Sequence, residues 1–154
     1  MKAVTIKELK DELINRPPKE LRELTLRLAR FKKENKELLT YLLFESTDEQ
    51  AYIESVKKEV DQQFELINTK THYFIKKSLR KILRSINKYS RYSLKKQTEV
   101  DLLIYFCVKL KSFSPSIRKN TRIMKIFDTQ IENIRKKLPS LHEDLQVDYE
   151  RELG

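Results

Sequence analysis

Apolar residues recur along this chain at three- and four-residue intervals, the period of an α-helix. The first predicted helix covers 5–14: Thr5 and Glu8 have the spacing of a capping box, and Asn15-Arg16-Pro17-Pro18 stops it. Two prolines are poor helix interior but good helix entry, so a second helix follows, with Leu21, Leu24, Leu28 and Phe31 on one stripe. Lys32-Lys-Glu-Asn35 predicts a break, with Asn35 capping a third helix through Phe44. Leu38 and Leu42 continue the same stripe, so a single helix over 19–44 is the alternative. Ser46 with Glu49, or Thr47 with Gln50, offers a capping box for a helix carrying Tyr52, Ile53, Val56, Val60, Phe64 and Ile67. Further helices are expected over 71–89 and 94–113. Ser114-Pro115 then opens one with Ile123, Phe127, Ile131, Ile134 and Leu138 on one face. Pro139-Ser140 ends it, and Ser140 with Glu143 caps a short last helix.

The run Leu102-Leu-Ile-Tyr-Phe-Cys-Val108 is the longest apolar stretch, at seven residues. Periodicity alone allows a buried strand there, but no other segment offers a strand partner and no glycine bounds it. It is therefore read as the most buried helix, because its side chains cover every side. The expected fold is all-α, a single domain over 1–154 with seven or eight antiparallel helices. They would form a compact array or a short right-handed superhelix. In outline this resembles a small α-solenoid of the HEAT kind. There is no fixed repeat period, so no functional residue follows from the resemblance.

Composition narrows the chemistry. The only glycine is Gly154, which excludes Walker phosphate loops and Rossmann dinucleotide turns, and no cofactor is expected. Two histidines and one cysteine exclude zinc fingers, disulfide frameworks and most histidine-centred triads. Cys107 lies within the apolar run and reads as a small buried hydrophobe. The N-terminal residues lack the pattern of a signal peptide, and seven apolar residues fall far short of the roughly 20 needed to span a bilayer. A cytoplasmic protein without a membrane partner is expected.

Charge is distributed unevenly. Residues 1–68 hold 13 Lys/Arg and 14 Asp/Glu, residues 69–139 hold 19 and 4, and residues 140–154 hold 1 and 5. Between Glu65 and Glu99 there are ten cations and no acid. On a helical wheel Leu79, Ile82, Leu83 and Ile86 fall within about 80° of Ile75. Lys76, Lys77, Arg80, Lys81, Arg84 and Lys88 occupy the opposite side, with Tyr73 among them. Such a stripe is either a solvated face or a surface for an anionic partner. A face made only for solubility would intersperse acids, since like charges four residues apart destabilise a helix. The leading expectation is a non-catalytic binding module whose basic face, 73–91, meets a nucleic-acid backbone without sequence readout, or an acidic protein. Tyr73, Tyr89 and Tyr92 are candidates for stacking on bases, and His72 for touching a phosphate. The competing expectation is internal: the acidic segment 140–154 folds back and neutralises the stripe.

One enzymatic pattern stands beside this. Glu20-Leu-Arg-Glu23 and Glu45-Ser-Thr-Asp48 are separated by 21 residues. The pattern is similar to that of the all-α nucleoside-triphosphate pyrophosphohydrolases, whose paired acids on facing helices hold magnesium and the triphosphate. The resemblance implies a magnesium-dependent hydrolase with these four carboxylates as ligands. Glu34-Asn-Lys-Glu37 repeats the acid spacing, however, and Glu45 and Asp48 straddle a predicted helix start, where a metal site would lack rigidity.

Overall fold

A computed structural model describes residues 1–113 and 115–154. The fold is all-α, with eight α-helices and no strand among the described residues. The chain divides into two compact units, Met1–Phe44 and Glu45–Gly154.

The first unit holds α1 (Ile6–Ile14), α2 (Pro18–Phe31) and α3 (Lys33–Thr40). At α1 the capping box forms as its spacing predicts. The Glu8 backbone N–H donates to Thr5 Oγ1 at 3.3 Å, and the Thr5 backbone N–H donates to Glu8 Oε2 at 2.8 Å. Those bonds from Thr5 hold the Glu8 carboxyl below its ordinary value. Arg16 reaches Glu12 and Glu20 across the turn, and Pro18 opens α2. The break after α2 falls at Lys32, whose extended backbone (φ −139°, ψ 145°) is also the N-cap of α3. Asn35 is not that cap. It lies within α3, and its amide Nδ2 donates at 2.8 Å to the Leu28 carbonyl, one of the groups left unbonded at the end of α2. From Tyr41 to Glu45 the helix widens to a π turn. No residue of α1, α2 or α3 is buried.

The second unit holds α4 (Glu49–Glu65), α5 (His72–Ser93), α6 (Lys96–Lys111), α7 (Thr121–Lys137) and α8 (Glu143–Leu153). The apolar run lies in α6, which packs against α4, α5, α7 and α8. Leu102, Leu103, Ile104, Phe106, Cys107 and Leu110 are all at most 2% exposed. The sheath is not complete: Val108 is 41% exposed, and Tyr105 keeps its hydroxyl at the edge of the core. Phe106 packs a tilted ring on Phe64 at 5.7 Å between centroids, and Phe113 meets Phe64 at 6.1 Å. Burial pushes the Cys107 thiol up to about 12, so it stays protonated.

Polar groups tie α4 to its neighbours around this core. Lys57 and Asp101 form a 2.7 Å ion pair, both side chains largely buried. Asp61 accepts from the Tyr105 hydroxyl at 2.6 Å and pairs with Lys109 at 3.0 Å. Burial alone would raise the Asp61 carboxyl, but Tyr105 and Lys109 outweigh it and hold it below its ordinary value. Burial and the Asp61 charge push the Tyr105 phenol up to about 12. At the other end of α4, Glu49 accepts from Ser93 Oγ and Thr98 Oγ1 and pairs with Lys95 at 3.3 Å, fastening the α5–α6 corner. That corner turns at Leu94, which adopts a left-handed conformation (φ 59°) usually left to glycine.

Three helix starts of the second unit also differ from the sequence expectation. Asp48 caps α4, accepting from the Ala51 N–H at 3.0 Å, in place of Ser46 or Thr47. Ser114 lies outside the described residues; a single 3-10 turn, Ile117–Lys119, precedes α7, which Asn120 caps. His142 caps α8, while the Ser140 hydroxyl donates to the Lys137 carbonyl.

Leu103→Ala should cost about 2–5 kcal/mol in chemical denaturation, and Val108→Ala less than about 1 kcal/mol. Tyr105→Phe should cost about 1 kcal/mol at neutral pH. Because the Asp61 carboxyl is depressed in the fold, its contribution is complete above its unfolded value and is lost as pH falls through its folded one. The Tyr105→Phe deficit, followed by denaturation across the acid range, should therefore shrink as Asp61 protonates.

Candidate functional site

The basic face belongs to α5, and local chemistry sets where that helix begins. Thr71 is its N-cap, its Oγ1 accepting from the Phe74 N–H at 3.2 Å. Twenty-two residues follow to Ser93, longer than the expected end at Tyr89. The core side of the wheel is occupied as its spacing predicts: Ile75, Leu79, Ile82, Leu83 and Ile86 are buried. Opposite them Lys77, Arg80, Lys81 and Arg84 are exposed, and Lys76 and Lys88, the first and last cations of the stripe, are half-buried. Lys76, Lys77, Arg80, Lys81 and Arg84 form no ion pair among the described residues. Lys88 lies over the Tyr89 ring at 4.6 Å from its centroid.

The three tyrosines separate. Tyr73 is 67% exposed, with its ring edge-on to Phe74 at 5.5 Å. Tyr89 is committed to α4: its hydroxyl donates to Glu59 Oε2 at 2.7 Å, and its carbonyl accepts from the Tyr52 hydroxyl at 2.9 Å. Tyr92 packs edge-on against Tyr89 at 5.9 Å. Only Tyr73 of the three stands out from the packing as a free ring face.

The acidic segment does not cover the stripe. Helix α8 buries Tyr149 and Leu153 and packs on α6, where Lys111 Nζ donates to the Leu153 carbonyl. Glu143, Asp144, Asp148, Glu150 and Glu152 form no ion pair with α5 among the described residues. The Glu152 carboxyl is instead raised above its ordinary value by burial and by Asp101, which places it on the α6 side. Burial, with Asp101 beside it, also pushes the Tyr149 phenol up to about 12.

At its N-terminal end the stripe runs into a pocket of about 390 Å³ where α5 meets the start of α7. His72, Tyr73 and Lys76 line it from α5, and Lys119 and Arg122 from the opposing turn and helix. The Asn120 side chain accepts from the Arg122 and Ile123 N–H groups at 3.0 and 3.1 Å, so the end of α7 is already capped. Lys119 and Arg122 were not legible as part of this face, since only the docking of α7 on α5 brings them there. The arrangement concentrates positive charge along one helix and at its mouth, which no carboxylate lines among the described residues.

Two of the four carboxylates of the hydrolase pattern have other local partners. Asp48 caps α4 and Glu20 pairs with Arg16 at 3.5 Å. No group of three or more His, Cys, Asp or Glu side chains is placed to hold a metal ion among the described residues. Nor is any helix among them long and apolar enough to cross a membrane. The chain matches no protein-family model, and no curated protein or solved structure is significantly similar to it.

Proposed function

We propose that this chain is a non-catalytic helical binding module, working in the cytoplasm, whose α5 face grips the sugar–phosphate backbone of nucleic acid. One observation carries the reading. Lys77, Arg80, Lys81 and Arg84 project from one side of a helix whose other side is core, without an ion pair among the described residues, while the chain's acidic helix docks on α6. Six cations strung over about 18 Å of helix, from Lys76 to Lys88, suit a linear polyanion better than a compact ion. Each phosphate contact releases counterions, so affinity is non-specific and falls steeply with salt. Tyr73, exposed at the mouth of the stripe, gives an unpaired base a ring to stack on, which favours single strands.

Fluorescence anisotropy with labelled single-stranded and duplex oligonucleotides, between about 50 and 200 mM salt, tests this. Lys77→Ala, Arg80→Ala, Lys81→Ala and Arg84→Ala combined should weaken binding to every sequence and flatten the slope of log affinity against log salt by about 3. Binding to polyglutamate and not to nucleic acid would transfer the face to an acidic protein. No binding at low salt, or an unchanged slope in the variant, would overturn the reading.

A further inference from the structure

The first unit leaves its apolar side uncovered. Leu9, Leu13, Leu24, Leu28 and Phe31 are between 42% and 76% exposed, far more than scattered surface leucines require. Helices α1 and α2 flank a groove of about 630 Å³, lined by Leu9, Leu13 and Leu24 and, along α2, by Glu20, Glu23, Arg27 and Arg30. Those four charges share one stripe of α2, within about 80° of one another and beside Leu24 and Phe31. The acids come first and the bases last. Glu23, Arg27 and Arg30 form no ion pair among the described residues.

We propose that this groove receives a second copy of the chain, α2 lying antiparallel to α2 across a two-fold axis that crosses the charged stripe at the level of residue 25. The order of charges argues for that occupant. Glu20 with Arg30, and Glu23 with Arg27, have the same midpoint, residue 25, so a single two-fold axis satisfies both pairs. It sets Glu23 against Arg27 of the partner subunit and Glu20 against Arg30 of the partner subunit, and each pair occurs twice. A parallel arrangement would oppose like charges instead. The leucines then lose their water, and the two helix dipoles run in opposite directions. The interface uses neither α5 nor its cations, so it stands independently of polyanion binding.

Sedimentation velocity on the full chain over a range of concentrations tests the proposal, with circular dichroism to show that each variant keeps its helices. The native chain should sediment as a dimer. Glu20→Arg with Glu23→Arg makes the stripe wholly basic, and Arg27→Glu with Arg30→Glu makes it wholly acidic, so each variant alone should be monomeric. Mixed in equal amounts, the two should recover a dimer containing one of each. A native chain that stays monomeric at every concentration would overturn the proposal. So would variants that dimerise alone as the native chain does, or a mixture that remains monomeric.

Discussion

Helix α6 carries leucine, isoleucine, phenylalanine and cysteine almost all the way round its axis between residues 102 and 110, and water must be kept from nearly every side of it. A helix of that kind cannot sit on a surface. It requires neighbours, and α4, α5, α7 and α8 each contribute one apolar face to the sheath. The polar groups of the unit are arranged around that demand. Lys57 meets Asp101, and Asp61 meets Tyr105 and Lys109, where the core reaches solvent, so that charges are shielded only where they have partners.

The position of the basic face follows from the same constraint. Once Ile75, Leu79, Ile82 and Ile86 are spent on α6, the 3.6-residue period leaves Lys77, Arg80, Lys81 and Arg84 on the far side of α5. Helix α8 buries Tyr149 and Leu153 on α6 and carries its acids with them, so the two charge blocks of the sequence meet at different faces of the core helix. The first unit has no such hub. Its helices are set by short-range chemistry: the Thr5–Glu8 box, Arg16 across the proline turn, and the Asn35 amide on the Leu28 carbonyl. That difference is why its leucines remain in water.

Helix order and the two faces of α5 were legible because both are periodic and local. Helix starts were less so. Around α4, Ser46, Thr47 and Asp48 all have capping side chains, and the choice fell to Asp48, leaving Glu49 to reach Ser93, Lys95 and Thr98 on the far corner. At α8, His142 took the cap expected of Ser140, whose hydroxyl is used by the turn ending α7. Leu94 carries a left-handed turn with no glycine to announce it, held there by the Glu49 network at the corner. Lys119 and Arg122 join the mouth of the basic stripe through a contact between α5 and α7, which no local pattern encodes.

Native-state hydrogen exchange tests most directly the claim that α6 is the element on which the fold depends. Amides within 102–110 should exchange only through global unfolding and show the greatest protection in the chain, with α5 next on its buried side and α1 exchanging fastest. Protection of α6 no greater than that of α1 would contradict the account.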